Sequence, residues 1–210
     1  MSVSRILLGL LEPQAQHGYT LRRRYDDWFG GDRPLKSAQV YATLGRLDRD
    51  GLIDLTGVTA GVGPDRRMYA ITDAGVSELE RWLDEPEVPD VTGSRRVLFG
   101  KVLIALSSGR AAEPILDRQR QAHLARMRDL RAQRQVGDLI TQLDADFEMY
   151  HLDADLKWID GAVARLGRLA AVLRAAEHDR LTNQTSDGRP ADRHPEPPSE
   201  RHGGPDGEVR

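Results

Sequence analysis

The stretch that decides the fold is "SAQVYATLGRLDRDGLIDLTGV", Ser37 to Val58. On a helix of 3.6 residues per turn, Val40, Leu44 and Leu47 fall at i, i+4 and i+7 and form a stripe to bury. The opposite side carries only Ala38, Ala42 and Gly45, with Arg49 below them. Tyr41 flanks this smooth face on one side, Gln39 and Arg46 on the other, and Lys36 and Ser37 stand at its start. Ser37 is the expected N-cap, because its hydroxyl can accept from an orphan backbone N–H. Gly51 ends the helix. "LIDLTGV" then alternates apolar and polar residues, as a half-buried strand does.

Working outward, the segments on either side complete a small domain. "VSRILLGLL" reads as a first helix over about Val3 to Leu11, stopped near Pro13. Gly18 marks the entry to a second helix, Tyr19 to Phe29, ended by Gly30-Gly31. After the first strand, "TAGVGPD" is turn chemistry and "RRMYAIT" alternates again. Thr72 or Asp73 caps a fourth helix to about Asp84, with Val76, Leu79 and Leu83 inward. The order is helix, helix, helix, strand, turn, strand, helix.

Small residues let a helix axis approach a surface closely, and long polar residues at the margins reach past it. A DNA major groove asks for that combination. The strand-turn-strand supplies a wing that can lie along the neighbouring backbone. Local charge is modest: Pro34 to Thr72 holds 5 basic and 4 acidic residues. Phosphate contacts usually dominate affinity, so one copy should bind weakly and a dimer would double the contacts. The same three-helix unit also suits a protein-docking module, and Ala and Gly can mark helix–helix packing. Arg22, Arg23 and Arg24 read either as a solvated face or as phosphate contacts.

Composition narrows the remaining classes. The 210 residues allow one or two domains with a real core. Net charge is -3, so nucleic-acid binding must rest on a local surface. There is no cysteine, which excludes disulfides and thiolate metal sites and fits a reducing cytoplasm. The apolar start is too short to span a bilayer, and no cleavage-site pattern follows it. An enzyme finds little support. "GVGPDRR" lacks the Lys-Ser/Thr of a phosphate loop, and no His/Asp/Glu set has metal spacing. No cofactor or metal is expected.

Beyond "PEVPDVTG", Pro86 to Gly93, which suits a linker, the chain is divided by charge. Ser94 to Val136 carries 10 basic and 3 acidic residues, and Gly137 to Glu177 carries 4 basic and 8 acidic. The first of these blocks reads as helices over Ser94 to Ser108 and Glu113 to about Gln135, the latter with Leu116, His123, Met127 and Leu130 in a stripe. Asp138 to about Ala176 reads as one helix exceeding ~50 Å. Its stripe is Leu143, Phe147, Tyr150, Ala154, Trp158, Leu166, Leu169 and Val172. The two charge blocks can lie antiparallel, and part of the stripe is expected to close on a second chain. Phe147, Tyr150 and Trp158 are three of only 11 aromatic residues. They suit a dimer core, or a pocket that stacks a planar effector. His123 and His151 are isolated and read as solvated or hydrogen-bonded. The last segment is Pro/Gly-rich, cannot offset its ordering entropy, and reads as disordered.

The set "ILLGLLEP", "HGYTLRRRY", "SAQVYATLGRLDRDGLI" and "DRRMYAITDAGVSELERWL" resembles the winged helix of PadR-type transcriptional regulators. The marks are Gly18-Tyr19, Tyr41 with Leu44 and Leu47, the exit Asp50 to Ile53, and Tyr69, Ile71, Thr72 and Gly75. They cover about Ile6 to Leu83. "HLDADLKWIDGAVARL" is similar to that family's last helix. The resemblance implies a mostly α fold, a winged helix-turn-helix with a two-stranded wing followed by a helical dimerisation arm. It also implies a homodimeric repressor that binds a palindromic site on double-stranded DNA and is released by a small hydrophobic or aromatic effector. One departure is the wing "TAGVGPDRR", with Asp65 and no Lys.

The expected domains are a winged helix over 1–85, a linker over 86–93, a helical arm over 94–178 and a disordered tail over 179–210. The DNA-contact set is Lys36, Ser37, Gln39, Tyr41, Ala42, Arg46, Arg49, Arg66 and Arg67. The effector set is Phe147, Tyr150 and Trp158. The surviving alternative is a non-catalytic dimeric adaptor whose winged helix docks a protein.

Overall fold

The computed structural model describes residues 2–30, 34–59, 66–88 and 94–186. The chain divides into two compact units, Met1–Ala175 and Ala176–Arg210. In chain order the elements are α1 (Val3–Leu11), β1 (Gln16–His17), α2 (Gly18–Tyr25), α3 (Ser37–Arg49), β2 (Ile53–Thr59), β3 (Arg66–Ile71), α4 (Asp73–Asp84), α5 (Ser94–Ser107), α6 (Glu113–Val136), α7 (Leu139–Val163) and α8 (Leu166–Ser186). The expected class, mostly α with a winged helix-turn-helix and a helical arm, is the one observed.

α1 sits at the centre. Ile6 to Leu11 are all buried, as in a helix that is apolar all round. Its last carbonyls need partners, and two buried polar side chains supply them: Gln16 Nε2 donates to Leu10 O at 2.5 Å, and Arg24 Nη1 donates to the same oxygen at 3.3 Å. Arg24 is therefore structural. It is 2% exposed and lies over the Trp28 ring at 5.4 Å.

Helix α3 buries Val40, Thr43, Leu44 and Leu47. It stops in a Schellman motif: Leu52 N donates to Leu47 O at 2.9 Å and Gly51 N to Asp48 O at 3.0 Å, with Gly51 at φ +70°. The wing is antiparallel, Ile53 opposite Ile71 and Leu55 opposite Tyr69, with a bulge that leaves Thr56 unpaired before Gly57 meets Met68. Thr72 Oγ1 caps α4 by accepting from Gly75 N at 3.1 Å. Gly75 is obligatory, because a Cβ there would overlap the Leu52 carbonyl. Leu79 and Leu83 are buried in α4 while Val76 is half-buried, and Trp82 joins the core at 2% exposure.

Five local points need correction. Lys36, not Ser37, is the N-cap of α3, and Ser37 Oγ instead accepts from Arg22 Nη1 at 2.6 Å. The strand β1, paired with β3 through Gln16–Tyr69 and His17–Met68, is too short to leave a periodic signal. The second helix is α-helical only to Tyr25. A π-helical turn over Asp26–Gly30 follows, which lets Asp26 Oδ1 accept from Leu35 N at 2.6 Å. The single long helix from Asp138 breaks at Ala164 and Arg165, where Arg165 N turns to Ala162 O at 2.8 Å and the Arg165 guanidinium takes Gly161 O. α8 is helical through Ser186, past the tail's expected start at 179. Residues 187–210, most of the linker (89–93) and the wing tip with Asp65 lie outside the described residues.

The arm begins inside the same core as the winged helix. Ile104 of α5 is fully buried against Gly9 of α1, where a Cβ would overlap its side chain. Lys101 is 1% exposed; its Nζ bonds Glu85 O, pairs with Glu87 Oε1 at 2.5 Å and lies 5.5 Å from the Trp82 ring. Basic α6 runs against acidic α7, with Arg126–Glu148 at 2.7 Å and Arg134–Asp146 at 2.8 Å. Exposed pairs contribute little, so burial of Leu130, Ala145 and Leu152 carries that hairpin. Ile104→Ala is expected to cost about 2–5 kcal/mol. Urea denaturation should show it as one transition, shared by Trp82 fluorescence and far-ultraviolet circular dichroism.

Candidate nucleic-acid interface and arm cavity

The outward face of α3 is open from end to end. Lys36, Ser37, Ala38, Gln39, Tyr41, Ala42, Gly45, Arg46 and Arg49 are all exposed, while Val40, Leu44 and Leu47 hold the helix from behind. Tyr41 rests on Gly18: a Cβ there would come within 2.8 Å of the Tyr41 ring. Glycine at the start of α2 thus gives the tyrosine its seat, and the ring stays half-exposed at 50%. Arg49 Nε donates to Gly45 O at 3.1 Å, and Arg46 Nη2 lies 3.4 Å from Thr43 Oγ1. Each guanidinium keeps donors for an outside acceptor.

The start of α3 carries a group not included in the expected contact set. Arg22 links Ser37 to Asp26, its Nε 3.9 Å from Asp26 Oδ2, and its guanidinium lies 5.7 Å from the ring of Tyr19, which is 61% exposed. Ser37 accepts from Arg22, so its own O–H remains a donor. With the positive end of the helix dipole and Lys36, these groups favour an anion. Arg67 is exposed on β3, and its carbonyl accepts from His17 Nδ1 at 3.3 Å. Arg66 starts β3, and its side chain lies outside the described residues.

In the arm, the three aromatic residues do not come together. Phe147 and Tyr150 are 52% and 76% exposed on α7, and Phe147 packs on His151 at 4.4 Å between centroids. Trp158 instead lines a cavity of about 480 Å³ between α5, α6 and α7, with Arg95, Phe99, Gln119, His123 and Asp155. His123 is 3% exposed and Gln119 is 2% exposed. Burial holds the His123 imidazole below its ordinary value near 6.5, opposed by Asp155 and reinforced by Arg95. Among the described residues, no group of three or more His, Asp or Glu side chains could hold a metal ion, and no helix is long and apolar enough to cross a membrane.

Comparison with known proteins places this geometry. Residues 7–81, α1 to α4, match the family model of the transcriptional regulator PadR-like family. Over these residues the chain is similar to the PadR-like family. A probable transcriptional regulator of Mycobacterium tuberculosis is 39% identical over 88 residues, 42% of this chain and 46% of that protein. The chain therefore spans about half the length of this relative. The negative transcriptional regulator PadR of Bacillus subtilis is 28% identical over 125 residues, 59% of this chain and 68% of that protein. The crystal structure of Bacillus subtilis PadR with operator DNA aligns at 20% identity and a TM-score of 0.39, over 78% of this chain and 98% of that one. The same protein with p-coumaric acid aligns at 20% identity and a TM-score of 0.37, over 79% and 99%. The relatives are named as regulators, and the family is not one of enzymes.

The cavity residues had faint sequence signals. His123 stood on the α6 stripe, but nothing marked Gln119 or Arg95. The buried imidazole has a consequence for stability. The unfolded chain binds that proton more readily, so His123 contributes stability fully above about pH 6.5 and loses it as pH falls. Between pH 7.5 and 5.5 the melting temperature should drop, and it should drop less in His123→Gln.

Proposed function

We propose that this chain is a DNA-binding transcriptional repressor that acts as a homodimer on a palindromic site, released by a small hydrophobic or aromatic effector. One observation carries the reading: α3 presents a long exposed face of small residues edged by Tyr41, Gln39, Arg46 and Arg49, with its apolar stripe fully engaged behind. Such a face suits insertion into a major groove, with Lys36, Ser37 and Arg22 at its start aimed toward phosphate. The relative named as a negative regulator supports repression.

The second copy has a place on α7. Ile140, Leu143, Phe147 and Tyr150 recur at spacings of three and four, the seam of a coiled coil, and are 78%, 62%, 52% and 76% exposed. An apolar row of this kind on a helix otherwise rich in acidic residues suits closure on its own copy, with a two-fold axis that gives a palindromic operator. A protein-docking adaptor would share the seam and lack the DNA.

Tyr41→Ala should weaken binding to an operator fragment by about 1–3 kcal/mol, and Arg46→Ala should lower the salt slope by about one. Circular dichroism should stay unchanged, and unaltered binding by both variants would take α3 out of the interface. In sedimentation the full chain should be a dimer, and Phe147→Asp should shift it to monomer with loss of DNA affinity.

A further inference from the structure

Two titratable side chains, Lys101 at 1% exposed and His123 at 3% exposed, are buried where winged helix meets arm. Neither the α3 face nor the α7 seam uses them. Glu87, just beyond α4, connects them. Its carboxylate pairs with Lys101 Nζ at 2.5 Å, and Lys101 also bonds Glu85 O. Its backbone is held by Gln119 of α6: Gln119 Oε1 accepts from Glu87 N at 2.7 Å, and Gln119 Nε2 donates to Glu87 O at 2.8 Å. A side-chain amide matches a peptide N–H and C=O together in one orientation only. This pair of bonds therefore fixes which end of the Gln119 amide is nitrogen.

That nitrogen lies 3.3 Å from His123 Nδ1. Nδ1 must accept, so the proton of the neutral ring sits on Nε2. Asp155 of α7 stands beyond Nε2, with Oδ2 3.8 Å away and outside hydrogen-bond reach. Its Oδ1 accepts from Arg95 Nε of α5 at 2.5 Å. The charged groups facing His123 are thus Arg95 of α5 and Asp155 of α7, and Arg96 of α5 lines the same cavity. Glu87 reaches the ring only through Gln119. Burial and Arg95 disfavour the imidazolium, and Asp155 favours it.

We propose that His123 is a proton-operated latch on this joint: a proton added at Nδ1 turns the Gln119 amide and frees the Glu87 backbone. The proton comes from solvent and takes the Nδ1 lone pair; no other bond breaks. Nδ1–H and the Gln119 NH₂ are then two donors face to face. Half a turn of the amide presents its carbonyl to Nδ1–H. The same turn sets NH₂ against Glu87 N–H and carbonyl against Glu87 O, so both Glu87 bonds are lost. On the far side of the ring, Nε2–H closes on Asp155 Oδ2. Each protonation state has its own partners at His123, and only the neutral one holds the Glu87 backbone. Lys101 keeps the Glu87 carboxylate in both, so the segment loosens without detaching. The latched form binds the proton more weakly than the open form, because its Nδ1 must accept. Falling pH therefore favours the open form, below about pH 6.5. The consequence for DNA rests on the regulator reading above. A looser joint no longer presets the spacing of two winged helices, and affinity should fall in acid through that difference between states.

The test uses the full chain. Nitrogen-15 NMR should find the proton of neutral His123 on Nε2 and should give the midpoint of its titration. Hydrogen exchange at the Glu87 amide, expressed as protection relative to the intrinsic rate at each pH, is compared about one pH unit above and below that midpoint. Protection should drop about tenfold in acid, in step with the rise in protonated fraction over that span. His123→Asn sets a carbonyl oxygen where Nδ1 stands and cannot gain the proton, so protection should stay high at both pH values. Gln119→Met removes the amide, so protection should be low at both. Affinity for a duplex selected by the wild-type chain should fall with pH in the wild type and not in either variant. A neutral ring protonated on Nδ1, no titration of His123 while the chain stays folded, or unchanged protection across the midpoint would overturn the latch. A loss of DNA affinity in acid shared equally by His123→Asn belongs to another group, such as His17 beside the wing, and would overturn the coupling. No DNA binding at any pH alongside an intact exchange response would sink the regulator reading and leave the latch standing.

Discussion

Everything that α3 can do depends on Val40, Leu44 and Leu47 being pulled into the core beneath α1 and α2. Those three side chains fix the roll of the helix. Once they are buried, Tyr41, Gln39, Arg46 and Arg49 have only one direction to face, and Ala42 and Gly45 lie between them. Burial of three aliphatic side chains, at about 1.5–3 kcal/mol each, outweighs any single polar contact on the outer face. The exposed residues are therefore free to be chosen for what they touch outside the molecule rather than for stability.

The same core reaches into the arm. α1 packs α2, α3 and α4 on its flanks and receives α5 through Ile104 at Gly9. Arg110, beyond α5, returns to Glu12 and Glu80 and ties that end to α1 and α4. Arm and winged helix thus share packed contacts, and on the segment that connects them Gln119 bonds the Glu87 backbone while the Glu87 carboxylate pairs with Lys101.

Much of this was legible in the residues. The i, i+4, i+7 stripe of α3, the helix stop at Gly51, the two strands of the wing and the Thr72 cap are local signals, and each formed as read, while Leu55, expected to alternate inward, stands exposed. What escaped was short or non-local. β1 is two residues long. The π-helical turn after Tyr25 exists because Asp26 must reach Leu35 N, which no periodicity records. The break at Ala164 and Arg165 falls between Ile159 and Leu166, both buried by residues distant in sequence. Trp158 was grouped with Phe147 by proximity in sequence, yet it stands about 16 Å farther along the axis, where it lines a cavity with Arg95 and Phe99 of α5. The cavity draws on three helices, and its Gln119 is ordinary in sequence and becomes informative only through Glu87.

The central claim is that two copies of α3 read one two-fold symmetric duplex. Selection of bound duplexes from a random DNA library by the full chain, followed by hydroxyl-radical footprinting of the enriched sequence, tests it most directly. The account predicts an inverted repeat whose half-sites are protected about 34 Å apart, or a near multiple, on one side of the helix. Enrichment of no motif, or a single unrepeated footprint bound by a monomer, would contradict it.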